Sequence, residues 1–147
     1  SIQTVGSDHL ALKRGSKAGS IWDASMGISG TALVLPVLLS EGFHGRDIPL
    51  EKIAEITSYN VAKIFNLYPQ KGNIQIGSDA DLTIVDLEKE QTVTHTMLNS
   101  SSDFSIYENW DVKGWPVLTM VRGTVVMRDG EIIGEKGFGK FMRRNPS

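Results

Sequence analysis

The stretch IQTVGSDH, residues 2–9, is the part of the sequence from which the rest is best interpreted. Its apolar residues, followed by a glycine, are typical of a short buried strand that ends at Gly6. Asp8 then stands just beyond the strand, and the carboxyl ends of strands are where α/β barrels hold their catalytic groups. The stretch therefore predicts a catalytic position at Asp8, which needs partners before it can form an active site.

The composition indicates one mixed α/β protein without a strongly charged surface. The 147 residues are enough for one domain with a sizeable core, and they carry a formal net charge of -2 and no cysteine. The charges are dispersed, so we expect no nucleic-acid partner and no membrane partner. The absence of cysteine, of a long apolar run and of a leader peptide predicts a cytoplasmic location.

A long connection with little periodicity follows at residues 10–26, and connections of this length are commonly functional. Trp22 and Met26 are the apolar residues that we expect to anchor it. The connection closes in the sequence GISG, residues 27–30, whose glycines allow close backbone approach to a ligand or a neighbouring strand.

Residues 31–67 carry helical patterns. Residues 31–39 are apolar on every side, which predicts a helix that begins near Val34, because of Pro36, and ends at Gly42. Such a helix must be covered all round, and the rest of the chain is hardly large enough to cover it. Pro49 predicts the start of a second helix over residues 49–57, and Asn60 is interpreted as the N-cap of a third over residues 61–67.

The pattern changes to short strands near residue 68. We expect turn, strand and turn at residues 71–77, and a strand at residues 80–86 that pairs with residues 91–97. Residues 117–133 predict two strands bent at Arg122-Gly123 and a tight Asp129-Gly130 turn into a third. A helical half followed by a small sheet is not a usual complete domain, which indicates the end of something larger.

Several motifs then resemble one enzyme family. The segment KGNIQIGSDADLTIVD, residues 71–86, resembles the start of the C-terminal sheet in the amidohydrolase superfamily. The sequences KGWPV at residues 113–117, VRG at 121–123 and GEKGFGKF at 134–141 resemble the cyclic amidohydrolases: hydantoinase, dihydropyrimidinase and allantoinase. Residues 22–30 resemble the allantoinase form of the substrate loop more closely, whereas residues 107–122 and the tail resemble hydantoinases.

The resemblance implies an α/β fold that is the C-terminal end of a (β/α)8 metal-dependent hydrolase barrel, with the C-terminal strands of a small β-sandwich. Residues 1–68 would supply the last strand, the substrate loop and helices, residues 69–133 the sandwich strands, and residues 134–147 a tail that docks subunits of a homotetramer. The remainder of the barrel would lie upstream, so we expect the chain to be a C-terminal fragment.

The resemblance also implies the chemistry. The family opens the C–N bond of a cyclic amide or ureide with two divalent metal ions, usually zinc, whose ligands include an H-x-H pair, a carboxylated lysine and an aspartate. Only the aspartate, Asp8, is found in this sequence, as metal ligand and proton shuttle, so we expect the fragment alone to bind no metal and to be inactive. Backbone groups at Met26 and Gly27 would bind the substrate.

Simpler interpretations stay open for each of these residues. Asp8 could be a turn residue after a strand, and Gly27 a plain connection before a helix. His9 fits a supporting residue better than a metal ligand, and Asp79 and Asp81 are best interpreted as turn residues. Two rival functions are a non-catalytic dihydropyrimidinase-like scaffold, which has no need for a carboxylate at position 8, and a stand-alone β-rich binding module, against which the apolar 31–39 helix argues.

Overall fold

Helices occupy the first half of the chain and strands the second in the computed structural model, which describes residues 2–143. The first helical segment is a 3-10 turn, the short helix α1 and a π-helical stretch: Thr31–Leu33, Val34–Val37 and Leu38–His44. The second is α2, a π-helical stretch and α3: Leu50–Ala54, Glu55–Tyr59 and Asn60–Ile64. A separate 3-10 turn covers Arg14–Lys17. None of the helices within residues 2–143 has the length and hydropathy needed to cross a bilayer.

The first helical segment begins its α-helical part at Val34, as predicted, but it does not end at Gly42. Gly42 is buried inside the π-helical stretch Leu38–His44, and a Cβ on it would lie 3.5 Å from Ile48 Cδ1. The helix ends instead where Asp47 takes a φ of 55° and the Ile48 N–H donates to the Gly42 carbonyl at 3.0 Å. The prediction of a C-cap at Gly42 is wrong because the left-handed conformation that ends the helix falls at Asp47, and Gly42 itself has no positive φ.

The second helical segment is continuous from Leu50 to Ile64, so the prediction of two separate helices is also wrong. Asn60 lies within it and is not an N-cap. Its Nδ2 donates to the Gln3 carbonyl at 2.9 Å and to Glu55 Oε1 at 3.2 Å. The polar side chain that suggested a helix start is used to hold the N-terminal residues, and the segment contains no glycine or proline that would break it.

In the described part of the chain the sheet has four strands in the order β1-β2-β3-β4, each antiparallel to the next: Leu82–Thr92, Asp111–Val121, Thr124–Arg128 and Glu131–Ile132. The predicted bend at Arg122-Gly123 and the turn at Asp129-Gly130 are confirmed, and all four residues have positive φ. Such turns match the twist of the flanking strands.

Two predicted strand features are wrong. Residues 91–97 do not pair with residues 80–86, because Gln91 and Thr92 continue β1 itself and His95–Leu98 is a 3-10 turn. The expected strand at residues 74–76 is not formed either, and Ile76 is fully exposed. Apolar alternation makes a strand only where a neighbouring strand accepts its backbone hydrogen bonds.

The N-terminal stretch is extended but forms no buried strand. Residues 2–4 are exposed, and the Val5 N–H donates to the Ile56 carbonyl in the second helical segment at 3.2 Å. The predicted strand therefore lacks the paired neighbour that strand geometry requires. The expected apolar anchor of the following loop is wrong as well, because Trp22 and Met26 are 92% and 89% exposed. Polar bonds hold the loop instead: the Arg14 N–H donates to Asp103 Oδ1 at 2.7 Å.

One hydrophobic core joins the first helical segment to the sheet. Its buried members are Leu33, Val93, Leu98, Val112 and Trp115. The Trp115 indole N–H donates to the Val112 carbonyl at 2.7 Å, so its polar atom is paired inside the core. The core thus combines residues from both sides of residue 68. The division of the chain into a barrel part and a sandwich part at this residue stays a prediction. The last residues of the predicted tail, 144–147, lie outside the described part of the chain.

Candidate functional site

The segment around Asp8 lies against residues 28–31, where the first helical segment begins. His9 forms an isolated parallel bridge with Ile28, and the Leu10 N–H donates to the Ile28 carbonyl at 2.9 Å. The structure therefore brings the candidate catalytic segment and the end of the long loop together, although the paired residues are 18 and 19 positions apart in sequence.

The two neighbours of Asp8 both bind the start of the helical segment. The Ser7 hydroxyl lies 3.2 Å from the Thr31 hydroxyl, within hydrogen-bond distance. His9 Nδ1 accepts hydrogen bonds from the N–H groups of Gly30, at 3.2 Å, and Thr31, at 3.4 Å. These N–H groups begin a helix and have no acceptor within it, so the imidazole satisfies donors that would otherwise need water.

Asp8 itself points to no partner. Its φ is 46°, a left-handed conformation that aspartate adopts more readily than most residues, and it is exposed. Its carboxylate has no hydrogen bond and no ion pair with any residue in the range 2–143. A turn aspartate usually binds a backbone N–H of its own turn. Asp8 is instead a free carboxylate on a held backbone, which can accept a metal ion or a proton.

Gly27 sits beside the Asp8 segment in a conformation that requires glycine. Its φ is 105°, and a Cβ would lie 2.7 Å from Leu10 Cβ. The Lys17 ammonium donates to the Gly27 carbonyl at 2.5 Å and also to the Ser25 carbonyl. The ammonium thus clamps the backbone on both sides of Met26, whose side chain points into solvent.

A small open cleft lies next to this segment. Its volume is about 170 Å³, and it is lined by residues 5–7, Ile28 and Gly30 of the loop end, the first helical segment and Tyr107. Asp8 does not line it, and its lining is mainly apolar. Ligand pockets usually measure roughly 300–1,000 Å³. The cleft is therefore too small for a complete substrate site formed by these residues alone.

The donor set fits a metal ion only in part. Among residues 2–143 no three histidine or acidic side chains come together closely enough to hold a metal. His44 Nε2 lies 2.8 Å from the Leu87 carbonyl, and His95 Nδ1 lies 3.2 Å from Glu108 Oε1, so both are engaged elsewhere. A zinc site takes three or four protein ligands. Asp8 can therefore serve as one ligand of a metal site, but the described residues do not complete one.

Asp79 and Asp81 have structural partners, in keeping with their interpretation as turn residues. Lys71 Nζ lies 2.8 Å from Asp79 Oδ2 and also pairs with Asp81 Oδ2. Its hydrogen bond holds the pKa of Asp79 below the usual value. Asp81 Oδ1 accepts the Arg122 N–H at 2.8 Å, which ties this turn to the bend between β2 and β3. The Arg122 guanidinium stacks on the Phe138 ring and donates to the Phe138 carbonyl, so it holds the start of the tail.

Sequence reasoning missed Ser7 and Lys17. A serine and a histidine on either side of a candidate catalytic aspartate were a usable signal, since both side chains can hold the adjacent backbone by hydrogen bonds. Lys17 gave no signal, because a lysine in a polar loop is normally a solvated charge.

Known proteins are similar to this chain along almost its whole length. The sequence profile of the amidohydrolase family matches residues 1–126. L-hydantoinase of Paenarthrobacter aurescens is 41% identical over 146 residues, which are 97% of this chain and 32% of that protein. Dihydropyrimidinase of Rattus norvegicus is 35% identical over 148 residues, which are 99% of this chain and 28% of that protein. The chain thus spans about a third of the length of the curated relatives it matches.

Solved structures give the same result for the backbone. The D-hydantoinase of Thermus sp. superimposes with a TM-score of 0.92 at 32% identity, covering 98% of this chain and 32% of that one. The L-hydantoinase of Arthrobacter aurescens superimposes with a TM-score of 0.81 at 43% identity, covering 84% of this chain and 28% of that one. At both of these sequence identities the similarity indicates common ancestry as well as a shared fold.

Proposed function

This chain belongs to the amidohydrolase family, and from that premise we propose that it forms part of a metal-dependent hydrolase that opens cyclic amide bonds. The substrate class is the cyclic amides and ureides of the hydantoin, dihydropyrimidine or allantoin type, by analogy with relatives that are named hydantoinases and dihydropyrimidinase. The observation that carries the proposal is the free Asp8 carboxylate on a backbone held from both sides.

In the proposed reaction Asp8 has two tasks. Its carboxylate would bind one of two divalent metal ions, for which zinc is the expected element, and it would take a proton from the attacking water and pass it to the leaving nitrogen. When bound, the metal ions supply a strong nucleophile at neutral pH and polarise the carbonyl. The exposure of Asp8 and its lack of a competing cation support this assignment, because a carboxylate already paired with lysine or arginine is a poorer ligand and a weaker base.

The Met26-Gly27 backbone is proposed to bind the polar edge of the substrate ring. The loop end lies beside the Asp8 segment through the contact of Leu10 with Ile28, and the Lys17 ammonium keeps its carbonyls in a fixed direction. A fixed backbone edge binds a planar amide at lower entropic cost than a mobile one.

The remaining parts of the site are proposed to come from outside these residues. The chain would supply the last strand, the substrate loop and helices of a (β/α)8 barrel with residues 1–68, and sandwich strands with residues 69–133. The other metal ligands would then come from the segments that make up the other two thirds of the relatives' length. A cytoplasmic homotetramer in which residues 134–147 dock against a neighbouring subunit belongs to the same proposal.

The test measures bound zinc and turnover of hydantoin, dihydrouracil and allantoin by the complete gene product. Asp8→Asn keeps the size and the tolerance for positive φ but removes the charge, so we expect turnover to fall by at least about a thousandfold while the melting temperature stays the same. Asp47→Asn is the matched control, since Asp47 is also exposed with a positive φ of 55°.

Two outcomes would contradict the proposal. If Asp8→Asn retained turnover and zinc, Asp8 would lose its assigned role. If the unaltered protein bound no metal and turned over none of the three substrates, the non-catalytic scaffold would become the better interpretation.

A further inference from the structure

We propose that His9 is a positioning residue: its imidazole, together with the Ser7 hydroxyl, fixes the backbone of Asp8 against the start of the first helical segment and leaves the carboxylate free. What the free carboxylate does rests on the proposed function. The fixing of the backbone does not, because it follows from contacts among residues 7–9 and 28–31 alone.

The first step concerns the backbone of Asp8. A φ of 46° lies in a sparsely populated region for a residue with a side chain. Such a conformation persists only where the surroundings determine it. The Asp8 side chain makes no hydrogen bond or ion pair with residues 2–143, and we therefore look for the cause in its neighbours, Ser7 and His9.

The second step concerns the His9 ring. Two backbone N–H groups, of Gly30 and Thr31, point at Nδ1, at 3.2 and 3.4 Å. A ring nitrogen that accepts hydrogen bonds from two N–H donors bears no hydrogen of its own, so the ring hydrogen is placed on Nε2. The ring therefore has a defined tautomer and a defined orientation, both set by the first N–H groups of the helical segment.

The third step is the convergence of both neighbours on the same two residues. Ser7 reaches the Thr31 hydroxyl at 3.2 Å, while His9 reaches the backbone of Gly30 and Thr31. With the residues before and after Asp8 attached to one short stretch, the Asp8 peptide groups cannot rotate independently. The hydrogen bond from the Leu10 N–H to the Ile28 carbonyl also attaches the residue after His9 to the end of the long loop.

Because His9 is exposed and belongs to no core cluster, its replacement should act locally and leave the fold intact. Two variants distinguish a positioning role of the His9 imidazole from a role in which the side chain only covers the surface. In His9→Asn the side-chain oxygen can take the place of Nδ1, whereas in His9→Gln the oxygen takes the place of Nε2 and cannot reach the same N–H groups. His95→Gln is the control for loss of an imidazole elsewhere.

The experiment is nitrogen-15 NMR of the full 147-residue chain, with hydrogen exchange at Gly30 and Thr31 and the amide–α-proton coupling of Asp8. We expect an unprotonated, hydrogen-bonded Nδ1 at His9. We expect His9→Gln to speed the exchange of both amides by about tenfold and to change the Asp8 coupling, while His9→Asn stays within about twofold of the unaltered chain. A protonated Nδ1, or equal effects of the two variants, would overturn the proposal.

A second measurement on the complete gene product separates this inference from the proposed function. We expect His9→Gln to lower kcat with little change in KM, and His9→Asn to retain most of kcat. If exchange and coupling respond as expected but no form of the protein turns over substrate, the proposed function fails and the fixing of Asp8 stands. If His9→Gln loses the hydrogen bonds but keeps its full kcat, the role of His9 in positioning Asp8 for the reaction is refuted while the proposed function stands.

Discussion

Gly114 of β2 lies directly against Leu39 of the first helical segment, so that a Cβ on Gly114 would stand 2.7 Å from Leu39 Cβ. The φ of Gly114 is 95°, and it sits where the register between β1 and β2 shifts, between the pairs Asp86–Trp115 and Glu90–Lys113. Both residues are buried. The close approach of helix and sheet therefore depends on the absence of a side chain at this irregularity in the strand pair.

We expect Gly114→Ala to destabilise the chain by about 2–5 kcal/mol, because it combines overpacking with a positive φ. Gly123→Ala is the matched control: its φ is 79°, but a Cβ there would meet nothing within 4 Å, so only the backbone cost remains. Urea unfolding of both variants measures the difference. In the double variant with Leu39→Gly, which removes the Cβ that the new methyl would meet, the combined loss should be smaller than the sum of the two single losses, and strictly additive losses would show that the two residues do not interact.

The ion pairs of Lys71 should make stability depend on pH in two directions. Hydrogen bonding to Lys71 lowers the pKa of Asp79 from its ordinary 3.8, so this contribution is complete above that value and is lost as the pH falls through the lowered pKa. Burial lowers the pKa of Lys71, but its bonds to Asp79 and Asp81 outweigh this and raise it above 10.5. That contribution is complete below 10.5 and is lost as the pH rises through the raised pKa.

Lys71→Met should therefore cost stability near neutral pH, and its difference from the unaltered chain should shrink at both strongly acidic and strongly alkaline pH. Thermal unfolding across the pH range measures this difference. Lys136→Met, at an exposed position in the tail, controls for the lost charge. A difference that stays constant down to the most acidic pH at which the chain folds would contradict the assigned ion pairs.

Removing the Lys17 ammonium should loosen the turn at Met26-Gly27. Lys17→Met keeps most of the aliphatic stem but loses both bonds, to the Ser25 and Gly27 carbonyls. We expect amide exchange across residues 25–28 to become faster by roughly tenfold, with a loss of about 0.5–1.5 kcal/mol in global stability. Under the proposed function, KM in the complete gene product should rise more than kcat falls. Unchanged exchange would show that the loop is held by other contacts.

The 147-residue chain by itself should bind no zinc stoichiometrically and turn over no cyclic amide. A single carboxylate supplies too few ligand atoms, and within residues 2–143 no second acidic or histidine cluster completes the set. Equilibrium dialysis followed by metal analysis, together with turnover assays on hydantoin and dihydrouracil, measures both properties. One equivalent of zinc retained along with measurable turnover would contradict the expected dependence on further segments.

The parts of the fold that could be predicted are those fixed by neighbours in sequence. The Arg122-Gly123 bend and the Asp129-Gly130 turn followed from local turn chemistry, and so did the start of α1 at Val34. The wrong predictions involve residues whose role is set by distant contacts. Asn60 was expected to cap a helix, but its side chain binds the carbonyl of Gln3, far away in sequence.

The candidate site also has one part that the sequence predicts and one part that depends on distant contacts. Asp8 could be singled out from its position after an apolar stretch and from the family resemblance, whereas its attachment to residues 30 and 31 depends on how the loop returns. The exposure of Trp22 and Met26 was not predictable, because apolar residues in a long loop are as compatible with a buried anchor as with a bare surface.

The outer edge of β1 has a practical consequence for anyone engineering this protein. Among residues 2–143 the strand has only β2 as a neighbour, and its other edge carries the sequence DLEKE at residues 86–90, where the register is also interrupted. Dispersed charges and a local irregularity discourage another chain from adding itself to a bare strand. A fusion that aims to add a strand to the sheet at this edge would first have to replace these acidic residues. A fusion that must not pair with the sheet can keep them, because they disfavour strand addition.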